Sequence, residues 1–155
     1  EALSVDRKLG DALGVALDQQ SLVIVRLRAG QLRLASEMLS ATFGYVVSSG
    51  NIEVLACSIE LSAAIAAELG DGTRAARLAG AAEALRRKAG IPIPEPEAAT
   101  LERYLAPARA TFARDAWDAE VAAGAALSQQ EAVALLLSPS PEIAPRPRPA
   151  GSDAV

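Results

Sequence analysis

Apolar residues return every three or four positions through most of this chain, the spacing of a helix that buries one face. Leu13, Ala16, Leu17, Leu22, Val23, Ile24 and Leu27 predict a helix over residues 12–29, with Asp11 as its N-cap and residues 1–9 as the end of an earlier one. Within it, Ser21 to Leu27 (SLVIVRL) is β-branched enough to suggest a strand. The helical spacing on either side, and the lack of a second strand to pair with, argue for helix. Residues 32–47 form the next predicted helix, burying Ala35, Met38, Leu39, Thr42 and Val46, with Phe43 and Tyr45 wedged between neighbours. Asn51 caps a third, with Ile52, Leu55, Ile59, Ala63, Ala66 and Leu69 on one face. A fourth spans residues 73–88 and turns Ala75, Ala76, Leu78, Ala79, Ala82 and Leu85 inward.

Glycine punctuates the series at positions 10, 30, 50, 70 and 90, a constant interval of 20 residues. Glycine at a helix C-terminus adopts the left-handed conformation that other residues resist. The ladder therefore predicts helix stops, and two helices with two turns make a repeating unit of 40 residues.

The pattern changes at residue 91, beyond which all nine prolines lie. Ile91-Pro92-Ile93-Pro94-Glu95-Pro96 is predicted to be an extended strap lying across the helical layer, since proline restricts itself and the residue before it. A helix over residues 97–113 would present Leu101, Tyr104, Leu105, Ala108 and Phe112, with Pro107 kinking or splitting it. A segment around Trp117 and Val121 should end near Gly124, and Ser128-Gln129-Gln130-Glu131 is a capping box that starts a last helix through Leu137. The chain thus divides into helical repeats (1–90), a strap with a helical cap (91–137) and a proline-rich tail or linker (138–155).

Composition sharpens this into an all-α reading. Apolar residues make up 51% of the chain and aromatic residues only 3%, with alanine the commonest type, which points to closely packed helices. The formal charge of −4 argues against a nucleic-acid surface, which needs clustered Lys and Arg. Residues 1–90 carry ten acidic and ten basic side chains, so the imbalance lies downstream. The most apolar run, residues 52–69, is interrupted by Glu53, Glu60 and Glu68 and does not read as a membrane span. The chain opens on Glu1 in what reads as mid-helix, and is expected to be a piece of a longer protein.

Candidate chemistry is sparse. The chain has no histidine, which removes His-based acid–base catalysis and His-containing zinc sites. A single cysteine, Cys57, rules out a disulfide within the chain and fits a reducing, cytoplasmic setting. Its apolar neighbours predict a packed thiol rather than a reactive one. Arg86, Arg87 and Lys88 suit the negative end of a helix dipole and read as a solvated cap, with an anion contact as the sharper alternative. Asp115 and Asp118 share a helical face, but nothing nearby supplies a nucleophile or metal ligands, so no catalytic residue, metal or cofactor is expected. Trp117 is expected in the core of the cap.

Two helices per unit, with a small residue at each close contact, resemble the tetratricopeptide repeat. Ala35, Leu39 and Thr42 match the second helix of one unit and Ala75, Ala79 and Ala82 that of the next. The first helices depart from the pattern, with Leu22-Val23 and Ser62-Ala63 where the family has Leu-Gly, and the unit exceeds the usual length of about 34 residues. A longer resemblance runs over about residues 10–137. Residues 72–90 (GTRAARLAGAAEALRRKAG), the Ile-Pro-Ile-Pro strap, Leu101-Glu102-Arg103-Tyr104, Ala116-Trp117, residues 124–128 (GAALS) and Glu131-Ala132-Val133 carry it. They are similar to the C-terminal tetratricopeptide-like region of bacterial signalling ATPases and large LuxR-type transcriptional regulators. That family often has a second tryptophan four residues after the first, where this chain has Val121.

The resemblance implies antiparallel helical hairpins stacked as a superhelix and closed by a C-terminal helical cap. It also implies a non-catalytic module that holds a protein or peptide, or neighbouring domains of the parent chain, and restrains an ATPase switch. Neither a phosphate-binding loop nor a DNA-reading helix occurs in these 155 residues. Carrying the family's groove-facing positions over gives Gln20, Ile24 and Arg28 from one unit and Glu60, Ala64 and Glu68 from the next. Gly30, Gly50, Gly70, Gly90, Trp117 and Ser128 take structural roles. The alternative reading is self-association, with the exposed first helix pairing with another copy.

Overall fold

The computed structural model describes residues 2–139, with side chains from Asp11 onward. They form seven helices and no strand: α1 Ala2–Arg28, α2 Leu32–Ser49, α3 Ile52–Glu68, α4 Gly72–Ala89, α5 Glu95–Arg109, α6 Arg114–Ala125 and α7 Gln129–Leu137. The first four boundaries follow from local chemistry. Gly30, Gly50, Gly70 and Gly90 all have positive φ, as their spacing predicts. At Gly90 the N–H donates to the Arg87 carbonyl and the next N–H, of Ile91, reaches back to Arg86, so two end carbonyls of α4 are satisfied. The Asn51 side chain accepts from the Glu53 and Val54 N–H groups, and Asp71 accepts from Arg74.

Gly10 breaks the ladder. It lies inside α1, which runs unbroken for 27 residues, so Asp11 is not an N-cap and residues 2–9 belong to the same helix. A glycine inside a helix costs only about 1 kcal/mol relative to alanine, and no proline follows to enforce a stop.

α1 packs mainly on α2, α3 on α4, and α4 on α6, while α5 lies against α3 and α7 closes on α4. α3 sits at the centre. From Val54 to Ala67 every residue except Cys57 and Leu61 is buried, rather than the single predicted face, because α1, α2, α4 and α5 surround it. Ile59 and Leu78 are fully enclosed, and burial of such a side chain contributes roughly 1.5–3 kcal/mol. Two buried clusters result. One joins Phe43, Val46, Leu55, Ile59 and Leu78 to Leu105, Trp117 and Leu136 of the C-terminal helices; the other joins Val23 and Leu27 to Leu39 and Ile65.

Several inward residues of the predicted hairpin point out instead. Leu17 and Leu22 are 49% and 45% exposed, and Tyr45 is 48% exposed rather than wedged. Helical period alone does not tell which flank a neighbouring helix will cover.

Beyond Gly90 the extended strap is shorter than predicted. Only residues 91–94 are non-helical, and Glu95 and Pro96 form the first turn of α5, where a missing N–H leaves no hydrogen bond unmade. Pro107 does not split α5; the helix runs through it and stops two residues later, at Arg109. Phe112 therefore lies in a turn rather than on α5, and its ring meets Trp117 edge-on, centroids 5.5 Å apart. α6 ends one residue beyond Gly124, as near to it as the sequence predicts, and Gly124 itself is buried in its last turn. A Cβ there would overlap the Arg77 carbonyl, and one at Gly80 would overlap the Val121 carbonyl, so the two glycines let α4 and α6 pack backbone to backbone. The capping box forms as predicted: Ser128 Oγ accepts from the Glu131 N–H, and the Glu131 carboxylate accepts from the Ser128 N–H at 2.7 Å. Arg74, buried in α4, donates to the carbonyls of Leu136 and Ser138 and ties down the end of α7. The proline-rich tail from residue 140 lies outside the described residues.

Candidate functional site

Four of the six predicted groove positions converge. Ile24 and Arg28 of α1 and Glu60 and Ala64 of α3 line one cleft of about 170 Å³, closed on its third side by Pro96, Glu97, Thr100, Leu101 and Tyr104 of α5. Its walls are apolar, from Ile24, Leu27, Leu61, Ala64 and Leu101. Arg28 and Glu97 are exposed and place opposite charges on its lining.

The remaining two positions lie elsewhere. Gln20 is buried, and its amide donates to the Val54 carbonyl at 2.7 Å and to Ser58 Oγ at 2.8 Å. It latches α1 to α3 instead of facing a groove. Glu68, the last residue of α3, is half-buried and does not line the cleft.

Glu60 is not an open acid. Arg86 of α4 donates to it twice, from Nε at 2.5 Å and Nη2 at 2.9 Å, with only 8% and 10% of the two side chains exposed. The bidentate pairing raises the Arg86 pKa, because the Glu60 carboxylate stabilises its charge. Arg86 is thus an internal counter-ion and not the solvated helix cap that its basic neighbours suggest. Its Nη1 is buried and has no hydrogen-bond partner among the described residues. The pair sits where two clefts meet, because Glu60 and Leu101 also line a second opening of about 750 Å³. That opening runs beneath Ile91 and Ile93 of the strap to Leu105, Trp117 and Val121.

Cys57, one turn before Leu61 on α3, is half-buried on the wall of the smaller cleft. Burial, and then the Glu60 charge, push its thiol up to about 11, so it stays protonated at neutral pH. Asp115 and Asp118 are exposed on α6.

The α5 wall is the part of the site that sequence reasoning missed. Glu97, Thr100, Leu101 and Tyr104 stand at i, i+3, i+4 and i+7, so their common face was visible in the spacing. Its docking place on α3 was not. Arg86 was missed because a triple basic run hides which member turns inward. Among the described residues no helix is long and apolar enough to cross a membrane. Comparison with known proteins found no matching family model, no matching curated protein and no matching solved structure.

Proposed function

We propose that this chain is a non-catalytic interaction module that holds a protein or peptide segment in the cleft between α1, α3 and α5. The observation that carries the reading is the convergence of Ile24, Arg28, Glu60 and Ala64, taken from two successive helical pairs, on a single apolar cleft. At about 170 Å³ the cleft lies below the roughly 300–1,000 Å³ of a small-molecule pocket. It suits one anchoring apolar side chain of a partner, which the charges of Arg28 and Glu97 would orient.

The tetratricopeptide-like superhelix belongs to the same reading. Glycine-ended helices joined by short turns, α1 on α2 and α3 on α4, support it. So does a role as the regulatory region of a bacterial signalling ATPase or LuxR-type regulator, in which an occupied cleft would change how this region restrains its neighbours.

The test is to select peptides from a displayed library on the 155-residue chain and measure their affinity by fluorescence anisotropy. Selected peptides should carry a large apolar residue beside a charge. They should lose about tenfold in affinity, about 1.4 kcal/mol, on Tyr104→Ala and on Glu97→Lys. Peptides that bind both variants as tightly as the parent chain would put the interaction elsewhere.

A further inference from the structure

The larger of the two clefts differs from the peptide cleft in size and in chemistry. It holds about 750 Å³, within the roughly 300–1,000 Å³ of sites that take small molecules. Ile91 and Ile93 of the strap, Leu101 and Leu105 of α5, and Trp117 and Val121 of α6 give it apolar walls. Its charges are matched among themselves. Arg86, Arg87 and Arg109 line it with Glu60, Glu83 and Asp118. Arg86 is held by Glu60, Arg87 by Glu83, and Arg109 by Glu102 on its own helix.

Arg86 carries the one group in this wall that is left over. In a planar guanidinium Nε and Nη2 form one edge, and here that edge grips Glu60, so Nη1 and its two N–H donors turn away from the carboxylate. Only 8% of the side chain is exposed, and Nη1 has no hydrogen-bond partner among the described residues. A buried donor without an acceptor is costly, the more so on a charged group.

We propose that this cleft binds an uncharged, mostly apolar small molecule bearing a carbonyl oxygen, which accepts from Arg86 Nη1 while the apolar body lies against Leu101, Leu105, Trp117 and Val121. The charge balance selects an uncharged ligand. Each arginine of the lining already has its acid, and a carboxylate brought to Arg86 would also approach Glu60. An amine would gain only Asp118, which is exposed and therefore screened. α5 is the wall most able to give way, because Leu105 is its single buried residue. A small shift of that helix lets an acceptor reach a nitrogen that is otherwise covered.

Three probes built on eight carbons test this on the 155-residue chain: methyl hexyl ketone, octanoate and octylamine. Trp117, the only tryptophan, lines the cleft, so its indole N–H reports binding in two-dimensional NMR titrations at neutral pH. The ketone should saturate with a Kd of about 1 mM or tighter, and the two charged probes should bind at least about tenfold more weakly. Glu60→Met with Arg86→Met removes the donor without stranding a charge and should weaken ketone binding by about tenfold. Ile93→Trp with Val121→Phe narrows the cleft from two half-buried positions and should do the same, with far-UV circular dichroism unchanged. A ketone that causes no saturable shift overturns the proposal and leaves water as the partner of Nη1. So does a charged probe that binds as tightly, or a ketone affinity that survives either pair of substitutions. Tyr104→Ala and Glu97→Lys alter the other cleft alone and should leave ketone binding unchanged, so this result and the peptide result fail separately.

Discussion

Glu60 and Arg86 are each costly to bury alone and tolerable only together. Removing one partner strands the other charge, and breaking such a pair costs roughly 3–5 kcal/mol. Glu60→Ala should lower unfolding free energy by about that much in a urea titration, whereas Glu60→Met with Arg86→Met should recover most of it. A loss below about 1 kcal/mol for Glu60→Ala would mean that water reaches the pair. Cys57 beside it should be slow to alkylate. A thiol held at about 11 rather than 9.0 has, near neutral pH, a thiolate population about 100-fold smaller than an ordinary one. Rapid stoichiometric labelling of the folded chain at neutral pH would contradict that burial. The glycines separate by what they touch. Gly44→Ala, where a Cβ meets open space inside α2, should stabilise by about 0.5–1 kcal/mol. Gly124→Ala should destabilise by at least about 1–3 kcal/mol and shift Trp117 emission to the red, because the Arg77 backbone cannot move aside as a side chain would.

At the scale of elements, helix ends are set by a few side chains and are correspondingly easy to test. Ser128→Ala removes the cap of α7 and should cost about 1 kcal/mol. The hydrogen bond from the Ser128 backbone, then that with its side chain, holds the Glu131 pKa below the ordinary carboxylate value. A depressed carboxylate favours folding above its unfolded-state pKa, and the advantage disappears as pH falls through the folded value. The parent chain should therefore melt higher than Glu131→Gln at about pH 6, and the gap should narrow as the pH is lowered below the ordinary carboxylate range. A gap that persists in acid would assign the effect to the hydrogen bond rather than the charge. The same local chemistry explains why the stops at Gly30, Gly50, Gly70 and Gly90 were readable: each is decided within a handful of consecutive residues. Gly10 has the same identity and the same spacing, yet the chain on both sides of it continues as helix.

Across the whole molecule, burial is uneven. α3 is enclosed by α1, α2, α4 and α5, whereas α1 offers one face to its neighbours and α7 is a short closing helix. Native-state hydrogen exchange should follow that order, slowest in α3 and the facing half of α4 and faster in α7 and the outer face of α1. Greatest protection in α1 would show that the centre has been misplaced. Residues 95–137 are not an independent lid. Leu105, Trp117 and Leu136 share one buried cluster with Phe43 and Ile59, so loss of the cap should weaken the first four helices as well.

Read without coordinates, the residue pattern already determined the all-helical class, the four glycine stops, the caps at Asn51 and Ser128 and the burial of Trp117. All of these depend on contacts within a turn or two of chain, or on the period of a helix. Tertiary packing alone decided that Gln20 and Arg86 turn inward, that Leu17 and Leu22 stay in water, and that Gly80 and Gly124 let two backbones touch. Those outcomes depend on which flank of a helix meets a partner distant in sequence, and helical period repeats identically whichever flank is covered.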